Sequence, residues 1–214
     1  MTSKRAEEEA EKNRRKLLEV EAAATVLLFR STKSAVAAGL ASQLSPRRIA
    51  AKMEADFTNA VVEARRKSRR GGLTRLRLEA QSLGLQIKTT VSKILDARDL
   101  KRAKDAASSL ARRWLRLANE ASPSEALDAT RGTVRRIAVT ESSDAFSAGR
   151  KEAVKVIGKE LVRVWDAKLD ACPRCREADG QIVGIRESFR LGEPGSVHPF
   201  CRCSWTLATL EETR

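Results

Sequence analysis

The chain has 214 residues, with 42 Lys plus Arg against 28 Asp plus Glu, a formal net charge of +14 and a pI near 10.2. A hydrophobic share of 42% excludes a wholly disordered polymer, while only 4% aromatics and no Tyr predict a thin core. No apolar run approaches the 18 residues of a membrane span, and the start, Lys4-Arg5 then Glu7, Glu8, Glu9 and Glu11, lacks a signal region and predicts no secretion by that route.

Residues 1–120 contain one proline, Pro46, and are rich in Ala, Leu, Arg, Lys and Glu, all good helix formers. A first helical segment spans 17–40, with Leu17, Val20, Ala24, Leu27 and Leu28 as its apolar positions. Ser45-Pro46 predicts a second start, with Ser as cap and Pro where no donor is needed. Ile49, Met53, Phe57 and Val61 then draw one stripe, and Gly71-Gly72 is expected to end that helix. Ala103, Ala106, Leu110, Trp114 and Leu117 share a face of a third helix. Ser122-Pro123 opens another, over 124–159. These stripes predict an internal core. Their many alanines also make Phe29, Phe57 and Trp114 candidate anchors for a partner.

Charge concentrates in the same region. Residues 166–214 carry seven basic and eight acidic side chains, a net of −1, so the excess lies before them. Its densest run is Arg65, Arg66, Lys67, Arg69, Arg70, Arg75 and Arg77, opposed nearby only by Glu63. Cations without interleaved aromatics suit the phosphate backbone of duplex DNA, read without sequence preference. The competing reading is a solvated helix end, where cations are favourable in any case.

From Leu161 the pattern alternates with period two and predicts a strand over 161–170. A turn follows at Cys172-Pro173-Arg174-Cys175, another at Asp179-Gly180, then a short strand over 181–185 and a Gly/Pro loop through Gly192, Pro194 and Gly195. The last element runs from His198-Pro199-Phe200-Cys201-Arg202-Cys203 into Ser204, Trp205, Thr206 and Leu207, again strand-like. Cys172 and Cys175 form a C-x2-C knuckle, and His198, Cys201 and Cys203 follow after 22 intervening residues. Five soft or imidazole ligands for a tetrahedral ion favour structural Zn2+, with either Cys201 or Cys203 as the fourth ligand. Two disulfides, or reduced and merely packed thiols, remain alternatives. Catalysis by a cysteine would need His198, the sole histidine, as both ligand and base.

Two strings then carry a resemblance. The first runs Val164-Trp165-Asp166-Ala167-Lys168-Leu169-Asp170-Ala171-Cys172-Pro173-Arg174-Cys175, then Asp179-Gly180, then His198-Pro199-Phe200-Cys201-Arg202-Cys203. The second is Arg136-Ile137-Ala138-Val139-Thr140-Glu141 with Ala145-Phe146 and Gly149-Arg150. Together, over residues 131–207, they resemble the signature of the phage head morphogenesis family, the Mu F-like minor head proteins. The resemblance implies a non-enzymatic minor component of a tailed-phage head, acting in assembly beside the portal or major capsid protein and close to the packaged genome. It implies residence in the head interior, with the host cytoplasm as the place of assembly. Glu141 is expected to fix its helix by accepting a hydrogen bond from a neighbouring turn, or else to pair with Arg150 or lend a carboxylate to a site.

The sequence thus predicts an α+β protein: a basic helical region over 1–122, and a module over 123–214 whose β part spans 161–207. Expected partners are portal or capsid protein and duplex DNA, with no membrane and no small-molecule substrate. The alternative is a zinc-stabilised DNA-binding or DNA-processing protein such as a nuclease, which would require a second metal cluster or a free base.

Overall fold

Small residues at helical spacing let long helices lie close together, and the computed structural model, which describes residues 4–87, 95–154, 161–168 and 170–213, is built on that property. Helix α1 (Lys4–Ala41) turns through Gln43, in the left-handed region at φ 52°, into α2 (Pro46–Gln81). The second helix starts at Pro46 as expected, although the Ser45 side chain makes no capping hydrogen bond. Helix α3 (Ala97–Glu120) packs on α2, its start fixed by a capping box between Asp96 and Asp99. Short α4 (Pro123–Ala129) is capped reciprocally by Ser122 and Glu125, and α5 (Arg131–Val154) follows after a break at Thr130. The single helix expected over 124–159 is therefore two, and residues 155–160 lie outside the described residues.

The Gly71-Gly72 stop does not occur; α2 runs through it. A Cβ on Gly72 would overlap the carbonyl oxygen of Phe146, and one on Gly149 would overlap that of Arg69. The glycines serve a backbone-to-backbone crossing of α2 and α5, and a helix end is not their task.

Strand β1 (Leu161–Asp166) lies between β2 (Ile182–Gly184) and β3 (Ser204–Thr209), antiparallel to both, with Trp165 opposite Trp205. Its period-two pattern does not give a wet face. All six residues are buried, Arg163 included, because α1 covers β3 and the 187–193 loop covers Arg163. Leu169 of the expected strand lies outside the described residues.

Two main cores result. Ala24, Leu28, Ile49, Met53, Phe57, Val61, Leu110 and Trp114 fill the first, between helices. Trp114 and Phe57 are fully buried there, so these two candidate partner anchors belong to the interior. Phe29 is half-buried beneath the Arg131 guanidinium, 5.2 Å from its ring. The second core joins Leu73, Leu76 and Ala80 of α2 to Trp165, Cys175, Phe189, Trp205 and Leu207. The expected boundary at residue 122 is thus crossed by α2, which completes the core of the β part.

Candidate metal centre

Helix α6 (Pro173–Glu177) is a single turn with Cys172 as its extended N-cap residue and Pro173 at its first position. Arg176 N–H donates to the Cys172 carbonyl at 3.0 Å. One turn therefore places the sulfurs of Cys172 and Cys175 on the same side. The facing loop is shaped by Phe200, left-handed at φ 63°, and by Cys201 N–H donating to the His198 carbonyl at 3.0 Å. Thr140 Oγ1 of α5 accepts Phe200 N–H at 3.2 Å, so α5 pins the loop.

His198 Nδ1 lies 2.8 Å from the Pro199 carbonyl, which can only accept, so that nitrogen carries the proton. In the neutral ring Nε2 then presents a lone pair, 3.2 Å from Cys172 Sγ and 3.3 Å from Cys175 Sγ. Cys175 Sγ is 4.0 Å from Cys201 Sγ, far beyond a disulfide bond, and all four cysteines are free thiols. Two groups, Cys172–Cys175–His198 and Cys175–Cys201–Cys203, each keep their ligand atoms within 4.8 Å and could hold a metal ion. Ligand atoms around a tetrahedral ion with sulfur bonds of about 2.3 Å stand roughly 3.8 Å apart, so this donor set fits one. A small cavity of about 30 Å³ beside this donor set is lined by Cys172, His198, Cys201 and Cys203, room on the scale of a single water or ion.

Burial pushes the Cys175 thiol up to about 12. The Cys203 thiol donates to Cys201 and holds it down at about 5; Cys203 itself is raised by giving that bond and by burial. The backbone N–H of Cys175 lowers Cys172, and the Pro199 carbonyl raises His198. A cation binding here displaces protons from the thiols that retain them.

The rest of the resembling strings forms joints around this centre. Asp179 accepts Ala167 N–H at 2.8 Å, and Gly180, at φ 72°, donates its N–H to the Trp165 carbonyl at 3.0 Å. Arg150 is 1% exposed and donates to Asn13 at 3.0 Å, Glu79 at 2.7 Å and the Trp205 carbonyl at 2.8 Å, with its guanidinium 4.2 Å from the Trp205 ring. Glu141 pairs with neither Arg150 nor a turn. It meets Arg65 and, at 3.2 Å, Arg102, while its neighbour Thr140 takes the hydrogen bond from the turn.

The structure divides the basic run by helical periodicity. Arg65, 2% exposed, is bound by Asp99, Glu141 and Asp144; Arg69 reaches Asp99 at 3.0 Å and Glu152 at 3.4 Å; Arg75 is buried against Glu9. Lys67 pairs with Glu63 at 3.5 Å, and Arg77 is half-buried. Only Arg66 and Arg70 of the seven are exposed without a carboxylate partner among the described residues. A helix ending at Gly71 would have left the run in solvent; the continuous helix turns half of it inward. Sequence reading missed Asn13 and Glu79, although Asn13 falls between Ala10 and Leu17 in the buried stripe of α1.

No family model, curated protein or solved structure matches the chain.

Proposed function

We propose that this chain is a minor structural protein of a tailed-phage head, assembled in the host cytoplasm beside the portal and retained in the head interior with sequence-independent contact to packaged duplex DNA. The observation that carries the reading is the role of the residues behind the resemblance. Trp165, Asp179-Gly180, the Cys/His set, Thr140, Gly149 and Arg150 each have a packing or bonding role, at the sheet, in the Cys/His loops or at the α2–α5 crossing. Such a signature belongs to a scaffold. Asp99, Glu141 and Asp144, which gather in space, are paired with Arg65, Arg69 and Arg102, which supports a structural part over a hydrolytic one. We assign zinc to the Cys/His centre because imidazole and thiolates in a small tetrahedral site select it over hard cations.

Co-expression with portal and major capsid proteins, followed by gradient sedimentation, tests the role. The chain is expected to migrate with assembled heads. Free migration at the top of the gradient, with heads formed normally, would overturn the assignment.

A further inference from the structure

Helices α3 and α5 both pack on α2 and touch each other only slightly. A cleft of about 380 Å³ opens between them, lined by Ser109, Arg112, Arg113, Arg116, Thr133 and Arg136. The four arginines are exposed, and none has a carboxylate within ion-pair distance among the described residues. Their isolation is written in the sequence: residues 106–119 and 129–140 contain no Asp or Glu. It contrasts with α2, where Arg65, Arg69 and Arg75 are each tied to carboxylates.

Like charges at neighbouring helical positions, as at Arg112 and Arg116 or Arg113 and Arg116, cost stability. The interior gains nothing from them, because α3 turns Leu110, Ala111, Trp114 and Ala118 inward on its other side. A surface that gathers unpaired guanidinium groups around a concavity, with hydroxyls of Ser109 and Thr133 at its wall, is complementary to a chain of phosphates. The lining has no aromatic residue, so unstacked bases find no platform there.

We propose that the α3–α5 cleft is the duplex DNA contact of this protein, gripping the phosphodiester backbone through Arg112, Arg113, Arg116 and Arg136 without reading sequence. The site rests on the DNA contact proposed above, and replaces the 65–77 run as its seat. The exposed, unpaired arginines of α2, Arg47, Arg48, Arg66 and Arg70, contribute at most peripherally.

The test uses the full chain and a 30-base-pair duplex of arbitrary sequence, titrated between 50 and 200 mM salt. About four neutralised phosphates give a log–log salt slope near −3.6, a fall in affinity of roughly 150-fold over that range. R112Q/R113Q/R116Q/R136Q is expected to lose most of that slope, about one unit for each phosphate contact removed. The charge-matched variant R47Q/R48Q/R66Q/R70Q should keep it, and Lys at the four cleft positions should largely restore binding. All eight arginines are exposed and unpaired, so unchanged melting transitions show that each variant is folded. Retention of the slope by the cleft variant, or equal loss in both Gln variants, overturns the site while leaving DNA contact in place. So does tighter binding of the wild-type chain to polyglutamate than to duplex. Absence of duplex binding by the wild type at 50 mM salt overturns both the site and the DNA contact; the sedimentation experiment judges the head role separately.

Discussion

Gly72 and Gly149 sit at one helix crossing, each pressed against the other helix's backbone: Gly72 against Phe146 and Gly149 against Arg69. Neither site has room for a methyl group, because the obstructing atoms are carbonyls fixed within helices and cannot swing away. Gly72→Ala or Gly149→Ala must therefore push α2 from α5 and loosen both cores that α2 joins. Overpacking of this kind typically costs about 1–3 kcal/mol, against a small gain in helix propensity of about 1 kcal/mol. Chemical denaturation should show net destabilisation in each variant, whereas Gly132→Ala, with open space at its Cβ, should be neutral or stabilising.

Arg150 ties α5 to α1, α2 and β3 through Asn13, Glu79 and the Trp205 carbonyl. Glu79 is fully buried, and its second oxygen accepts Leu207 N–H at 2.5 Å. Arg150→Ala would leave that carboxylate buried without its cation, a loss of about 3–5 kcal/mol. Glu79→Gln keeps an acceptor for Leu207 and should cost less than Arg150→Ala in the same urea titration. Arg150→Lys should fall between, because a compact ammonium, despite its three donors, lacks the spread of the guanidinium fork and the planar face that lies on Trp205.

Much of this was legible beforehand, for identifiable reasons. The stripe through Ile49, Met53, Phe57 and Val61 is a local periodicity, and it forms as read. The knuckle and the His198–Cys203 string are close-spaced in sequence, so their convergence needs only one turn and one loop. Gly71-Gly72 misled because a close helix crossing and a helix end call for the same residue, and only the partner helix distinguishes them. Arg65 and Arg75 misled because a buried arginine is indistinguishable in sequence from a solvated one. Its partners Asp99, Glu141 and Glu9 lie 34, 76 and 66 residues away. The period-two reading finds the strand at β1 but not its burial, because Val162 and Val164 make its second face apolar too and Arg163 is covered by the 187–193 loop, which no local pattern specifies.

Asp99 gives stability a definite pH dependence. Burial pushes its carboxyl up, but the hydrogen bond and charge of Arg65, aided by Arg69, hold it below its ordinary value in the folded chain. Its contribution is therefore complete above the unfolded carboxylate range, near pH 4, and is lost as pH falls through the lower folded value. Asp99 also caps α3 through its bonds with Asp96. Melting curves between pH 2.5 and 6 should show Asp99→Asn destabilised at pH 6 and converging with the wild type towards pH 2.5. Parallel curves over the whole range would show that the Arg65–Asp99 pair contributes nothing that titrates.

The Cys/His centre makes the last prediction, about one zinc ion per chain. Cys175 belongs to both ligand groups, and its sulfur approaches both His198 Nε2 and Cys201 Sγ. Cys175→Ser should abolish metal binding outright, measured by elemental analysis of the purified protein. Cys201 and Cys203 both stand with Cys175 in the second group, so either can close a tetrahedron with Cys172, Cys175 and His198, and whichever of Cys201→Ser and Cys203→Ser loses metal identifies the fourth ligand. Structural zinc commonly supplies roughly 10–16 kcal/mol of apparent binding free energy, part of which becomes folding energy. Chelation should therefore open the segment around Cys172 and Cys201 to protease. Because α2 completes the same core through Leu73 and Leu76, the helical region should survive with a lowered melting temperature. Thiols must lose protons to bind, so affinity should fall steadily as pH drops from 8 to 6. Metal-free protein with intact disulfides at Cys172–Cys175 or Cys201–Cys203 would overturn the zinc assignment.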